Sequence, residues 1–487
     1  MQNNNTPQRL NQAASEQTLE KQLDNRHIQL IAIGGAIGTG LFMGSGKTIH
    51  LSGSSIILTY AIIGFFLFFV MRALGELLLS DSRFNSFADF ASEYLGPWAG
   101  FFIGWTYWLS WVVACIGDVV VIGGYMQYWY PDLPLWIPAF SALALMLFMN
   151  MLSVRLFGEM EFWFAIIKVL AIVALLIAGF GMVIGGYTSP DGVRASFNHL
   201  TQSGMMFPNG FQGFIAGFQI ALFSFVGIEL IGVAAAETKN PEVNLPKAIN
   251  AIPLRVLLFY VLSLVCIISV SSWQYISPDR SPFVGLFALA GLPAAAAVVN
   301  FVVLTSALSS ANSGVFSTSR MLFGLARDNA APRALGKLSS LNVPLRGLLL
   351  SGFCMFTGAA LLFIMPSVMV VFTLLSTLSA VLLIFIWSMI LISWLAYRRQ
   401  NLSLRQKVRF RLPGGKVMAW SCLTFFALML IALALKDDTR AGLLAAPLWF
   451  LWLAIVWKSK KNKMPSSSPK TAWSTPAVQH NDRLRND

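Results

Sequence analysis

Apolar runs of about 20 residues, long enough to cross about 30 Å of hydrocarbon, recur along nearly the whole of this chain. In that medium every backbone N–H and C=O has to be satisfied within the protein, which restricts the fold to spanning helices. One run conflicts with an unbroken helix. Ile33 to Gly46 reads IGGAIGTGLFMGSG, with glycines at 34, 35, 38, 40 and 44 in a stretch otherwise apolar from Ile28 to Phe42. Each glycine costs a helix interior roughly 1 kcal/mol relative to alanine, so the helix is expected to open here. Unwound backbone at membrane depth is tolerated only where protein buries it or it lines a cavity. Its broken ends offer N–H groups to an anion and carbonyls to a cation, which suits a zwitterion. The competing reading is that these glycines only allow close helix packing, which leaves the Gly38-Thr39-Gly40 triplet unexplained.

The composition excludes an ordinary soluble domain: 487 residues are 56% hydrophobic and 11% charged, with a mean hydropathy of +0.68. The polar start of the chain lacks a signal-peptide pattern, so the N-terminus is expected to stay in the cytoplasm. The net charge of +13 reads as topology. With twelve spans, Lys47, Arg194, Arg280, Lys436 and Arg440 fall outside and Lys168 lies within a span, while all other Lys and Arg lie inside. The basic surface then meets anionic lipid, and no nucleic acid is expected. The cysteines at 115, 266, 354 and 422 sit in apolar segments without metal or disulfide spacing.

After the broken first span, the expected spans are Ser54 to Met71, the third within Trp98 to Tyr130, Trp136 to Leu152, Phe162 to Ile184 and Phe211 to Ala236. Then come Ile249 to Val270, Ala294 to Thr318, Gly347 to Ile364, Val368 to Leu395, Met418 to Leu435 and Leu443 to Trp457. The second span should end in Arg72, Glu76 and a polar turn, and Phe84 to Pro97 suits an interfacial helix. Trp98, Trp105, Trp108, Trp111 and Trp129 suit an aromatic belt at the membrane surface. The sixth span contains FQIALFSFVGIEL, with Gly227 between Ser224 and Glu229, and is the second irregular apolar segment. Breaks in corresponding segments of two halves point to a binding site, and here they fall five spans apart. The predicted fold is an all-α polytopic membrane protein of twelve transmembrane helices. Two inverted five-helix repeats, with helices 1 and 6 broken, precede two extra helices. Residues 1–27 form a cytoplasmic tail, 28–457 the membrane domain and 458–487 a disordered cytoplasmic tail.

Several stretches resemble the amino acid permeases of the amino acid/polyamine/organocation superfamily, within it the bacterial amino acid transporter family. They are HIQLIAIGGAIGTGLFMGSG, GEMEFWFAIIK at 158–168, FVGIELIGVAAAETKNP at 225–241 and NSGVFSTSRMLFGLA at 312–326. GPWAGFFIGWTYWLSWVV, SPFVGLF with GLPAAAAVVNFVVLTSA, and KDDTR look most like the members that carry D-serine, D-alanine and glycine. The resemblance implies a leucine-transporter-like fold and proton symport across the inner membrane. It also implies that Gly38, Thr39 and Gly40 give N–H groups to the substrate carboxylate. Ala36, Phe223 and Val226 would give carbonyls to the amine, with Phe223 closing over the site. Another neutral amino acid (proline, branched-chain or aromatic), or amino acid exchange, is the alternative.

An ionisable side chain near the bilayer centre costs at least about 2.5–3.5 kcal/mol, so Asp118, Lys168 and Glu229 are candidates. Lys168 is expected to be the proton-coupling switch, able to reach carbonyls of the broken first helix. Glu229 is either proton-responsive or a hydrogen-bond partner of backbone freed by the break. Asp118 is read as a helix–helix hydrogen bond; the resemblance assigns it no fixed role, since many relatives carry Glu there. Glu237 and Arg320 belong near the cytoplasmic ends, explained by snorkelling or by a gate contact. The four histidines lie outside the spans or at their ends, and no metal cluster, phosphate loop or soluble output domain is present in the sequence. This argues against a membrane enzyme, an ATP-driven pump and a receptor, and a short loop after span six argues against two six-helix halves. The expected partners are an amino acid, protons and membrane lipids, with no cofactor and no obligatory protein partner.

Overall fold

The computed structural model describes residues 37–461 except 82–83, 85, 153, 190–191, 202–203, 205, 235–239, 366 and 401–408. The readings made for Ala36, for Glu237, for the start of the first span and for most of both tails lie outside the described residues.

The described chain is helical, with one isolated β-bridge between Thr188 and Arg194. In order it forms α1 (Thr39–Phe42), α2 (Gly44–Ser52), α3 (Ile56–Leu78), α4 (Phe87–Leu95), α5 (Pro97–Met126), α6 (Trp136–Leu152) and α7 (Val154–Ile184). After Asn198–Thr201 follow α8 (Gly210–Phe223), α9 (Leu230–Ala234), α10 (Pro241–Val270), α11 (Pro282–Leu289), α12 (Pro293–Arg327), α13 (Leu345–Ala359), α14 (Leu361–Ile364), α15 (Val368–Gln400), α16 (Gly415–Ala434) and α17 (Asp437–Lys461). Among the described residues nine helical stretches are long and apolar enough to cross a membrane, and α6 and α8 are shorter apolar helices. The protein is therefore polytopic and helical.

Local chemistry sets the boundaries. α4 begins with a capping box: the Ser86 hydroxyl accepts from Ala88 N–H at 3.2 Å and the Asp89 carboxylate accepts from Ser86 N–H at 3.0 Å. It ends at Gly96, whose φ of 102° suits glycine, and Pro97 then occupies the first turn of α5. α4 does not lie free at an interface, because its Phe87, Phe90 and Ala91 are buried against the bundle.

α5 and α15 form the centre, with most of their apolar stretches buried, whereas α7 and α17 lie at the outside of the bundle with most of theirs exposed. Lipid gives helices no hydrophobic reason to associate, so close packing through small residues carries more of the burden. α5 and α12 meet in this way. A Cβ at Gly314 would overlap Cys115 Sγ and stand 2.7 Å from Trp111 Cε3, and one at Gly104 would come 2.6 Å from a Leu325 methyl.

The structure corrects several expectations. Trp111 and Trp108 are buried, and Trp105 donates its indole N–H to Ala330 C=O at 3.2 Å; of the α5 tryptophans Trp98 is the exposed one. An aromatic run reveals affinity for the membrane but not which rings turn inward. The end of α3 differs from expectation only in length: the helix runs past Met71 through Arg72 and Glu76 to Leu78 before the turn, because both side chains find partners there. Arg320 does not snorkel: it is buried, with its guanidinium 3.3 Å from the Phe316 ring centroid. α17 continues to Lys461, past the expected limit at Trp457.

Near the end of α3, a following segment is strapped across it. Glu76 accepts from Trp394 Nε1 at 2.8 Å and from Leu412 N–H at 2.7 Å, with Arg398 at 3.8 Å. Arg72 donates to Arg411 C=O and to Asn250 Oδ1 and lies over the Phe410 ring.

Candidate functional site

The second irregular segment read from the sequence is an interrupted helix, the described part of the first departs from helix at 37–38 and again at Met43, and the two meet. Gly38 has extended backbone (φ −120°, ψ −160°) and precedes the single turn α1; Met43 then separates α1 from α2. No side chain caps the first turn of α1, whose leading N–H groups have no partner within the helix. In the second segment α8 stops at Phe223, residues 224–229 form turns, and α9 starts at Leu230. Gly227 makes this possible with a φ of 96°, a conformation that an L side chain resists.

Gly40 is the point of contact between them. A Cβ there would lie 2.5 Å from Ser224 Cα and 2.8 Å from Ser224 N. For Gly40, close packing is therefore part of the reason for glycine. Protein groups hold the second break open: the Tyr260 hydroxyl donates to Ser224 C=O at 2.6 Å, and the Tyr60 and Ser224 hydroxyls are 2.8 Å apart. Phe223 C=O accepts from Val226 N–H at 3.0 Å, and the buried Phe223 ring meets Phe372 edge-on, with centroids 5.6 Å apart. Val226 is buried as well.

Two clusters of ionisable side chains flank the breaks. On the first side the Thr39 hydroxyl donates to Asp118 Oδ1 at 2.6 Å, so Asp118 ties α5 to the first interruption. That is the helix–helix bond read for Asp118, made to the break itself. The Ser306 hydroxyl of α12 donates to Ile37 C=O at 2.9 Å. One helical turn further along α12, Ser309 accepts from Lys168 Nζ at 3.0 Å and donates to Glu161 Oε2 at 2.7 Å. Asn312 donates to Glu161 Oε1 at 2.8 Å, and Asn150 donates to Asn312 Oδ1 at 2.6 Å. Asp118, Glu161 and Lys168 are all buried, and the charges of Asp118 and Glu161 act on Lys168.

Glu229 sits in the second cluster. Its carboxylate accepts from Gly227 N–H at 3.2 and 3.4 Å, and the buried indole N–H groups of Trp111 and Trp387 lie near it without a hydrogen bond to it. A carboxylate here satisfies backbone freed by the break, which is one of the two roles read for it. Lys168 and Glu229 thus occupy separate surroundings.

Glu161, Ser306, Ser309, Asn312 and Asn150 were not singled out from the sequence. A signal existed: 306, 309 and 312 recur at a spacing of three, which places them on one helix face, and Glu161 and Lys168 are two turns apart on α7.

A model of the amino acid permease family matches residues 27–468. The chain is 58% identical over 446 residues to the D-serine/D-alanine/glycine transporter of Escherichia coli (strain K12), covering 92% of this chain and 95% of that one. It is 49% identical over 443 residues to an amino-acid permease of Bacillus subtilis (strain 168), covering 91% and 95% of the two chains. Against an aromatic amino acid transport protein of Escherichia coli O6:H1 the identity is 40% over 443 residues, covering 91% and 96%.

Proposed function

We propose, from the premise that this chain belongs to the amino acid permease family, that it is a secondary transporter importing glycine, D-alanine and D-serine by proton symport. The observation that carries this reading is the meeting of the two broken segments at Gly40 and Ser224, with buried Asp118 bonded to the neighbouring Thr39. The uncapped turn at Gly38, Thr39 and Gly40 suits a carboxylate. Ala36, Phe223 and Val226 would offer carbonyls to the ammonium. Recognition by backbone alone discriminates poorly between amino acids, so packing around the Cα substituent sets the preference for small ones. The 58% identity to a transporter named for D-serine, D-alanine and glycine supports that size class.

In this reading the membrane domain of residues 28–457 has twelve spans, the first ten as two inverted repeats of five. Both tails, 1–27 and 458–487, face the cytoplasm from the inner membrane. A proton reaching Lys168 favours the outward-facing state, Glu229 steadies or senses the second break, and Glu237 serves the cytoplasmic end.

The experiment is uptake of labelled amino acids into liposomes carrying the purified protein, with and without an imposed pH gradient. Accumulation of glycine that collapses with the gradient supports symport, while gradient-independent exchange would replace it with an exchanger. Competition by lysine or phenylalanine stronger than that by D-alanine would overturn the substrate assignment and leave the family untouched. In the same assay Lys168→Gln should abolish gradient-driven accumulation but retain substrate binding.

A further inference from the structure

We propose that Glu161 shares the coupling proton with Lys168 through the Ser309 hydroxyl. The inference rests on the proton-symport reading above.

Glu161 and Lys168 lie seven residues apart on α7, which puts them on one face but about 10 Å apart along the axis. Direct contact is not needed. Ser309 projects from α12 between them, accepting from Lys168 Nζ at 3.0 Å and donating to Glu161 Oε2 at 2.7 Å. A serine hydroxyl can donate and accept at once, so the three groups form a continuous one-way hydrogen-bond chain. The ends of that chain are the groups able to hold a proton. When the ammonium passes a proton to Ser309 Oγ, the Ser309 hydroxyl proton passes to Glu161 Oε2, leaving a neutral amine, an intact hydroxyl and a carboxylic acid. Both arrangements carry the same net charge, so the exchange avoids isolating a charge in a fully buried place. Uptake of one further proton gives an ammonium beside a carboxylic acid.

The surroundings fix the direction. Asn312 of α12 donates to Glu161 Oε1 at 2.8 Å and is itself held by Asn150 of α6, which leaves Oε2 as the oxygen turned to Ser309. The Ser313 hydroxyl faces the same carboxylate, and Lys168 is the charged group acting on it. Lys168 is acted on by Glu161 and by Asp118 of α5. α10, also packed on α7, brings the Cys266 thiol, which donates to Leu175 C=O farther along. Glu161 comes before Lys168 on a span expected to run outward, and Asn150 closes a span expected to run inward. The relay thus ends at Glu161, on the cytoplasmic side of Lys168 in this reading, and the two asparagines hold that carboxyl in place without carrying the proton further.

The test compares wild type, Glu161→Gln and Ser309→Ala in liposomes, measuring glycine accumulation under a pH gradient and glycine exchange at equal pH. Glutamine keeps the shape and the Asn312 contact but holds no mobile proton, and alanine removes the bridge while keeping both end groups. The expected result is that both variants fall to equilibration, with no accumulation above the external concentration, while exchange continues. Wild-type accumulation in either variant overturns the inference. So does loss of exchange together with accumulation in folded, monodisperse protein, since that marks a structural role. Should Glu161→Gln fail to fold, Ser309→Ala decides by the same criterion. Failure of wild type to accumulate glycine under the gradient would instead sink the symport reading itself.

Discussion

Gly40 on the first interrupted helix rests against the backbone of Ser224 on the second, with 2.5 Å between Ser224 Cα and the place where a Cβ of residue 40 would stand. Backbone cannot yield as a flexible side chain can. Gly40→Ala is therefore expected to force the two breaks apart, at an overpacking cost of about 1–3 kcal/mol, and to abolish substrate binding while membrane insertion persists. Gly38 has extended backbone that any residue adopts, so Gly38→Ala should melt close to wild type. Melting curves and binding of labelled glycine to purified protein check both. Normal affinity in Gly40→Ala would mean that the crossing does not shape the site.

The Thr39–Asp118 bond allows a second test. Thr39→Val keeps the side-chain shape but removes the donor, leaving a buried carboxylate oxygen unpaired, which costs about 1–3 kcal/mol. The expected outcome is a lower melting temperature that Thr39→Ser restores. Equal stability of valine and threonine at this position would show that the carboxyl finds another partner.

The strap across α3 gives the third. Glu76 accepts from Trp394 Nε1 and Leu412 N–H at once and is buried. Glu76→Ala leaves the Trp394 and Leu412 donors without their acceptor and removes a partner of Arg398, a loss of about 1–3 kcal/mol for each buried donor. Limited trypsin digestion should then cut faster at Arg409 or Arg411 than in wild type. An unchanged digestion pattern would show that the strap is held by Arg72 and Phe410 instead.

Much of this arrangement could be read from the chain before any coordinates. The second break was legible because Gly227 interrupts an apolar run between two polar residues, a local conflict that only an opened helix resolves. The start of the fourth span at Trp136 was legible because a polar, turn-forming run at 130–134 precedes it. Other features depend on partners remote in sequence. Gly40 looked like a hinge glycine, and only the path of α8 shows that it is also a contact. Trp108 and Trp111 looked like interface residues because hydropathy does not say which face of α5 is covered. Glu161 drew little notice because its partners are Ser309 and Asn312, and small polar residues in an apolar helix are a weak signal until the helix they face is known. Of the two explanations read for Arg320, snorkelling fails because its guanidinium is buried against the Phe316 ring and donates to Phe316 C=O and Ser319 Oγ, contacts that a lone cation near a span end does not advertise in the sequence.

The fit of Gly314 into Trp111 and Cys115 has a mechanical consequence. Helices that interlock at a site with no room for a methyl group cannot slide along each other without driving a larger neighbouring side chain into the gap. α5 and α12 are therefore locked in register. The first irregular segment is tied to that locked pair at two successive points, by Thr39 on Asp118 and by Ile37 on Ser306, so its position is set by the register of α5 and α12.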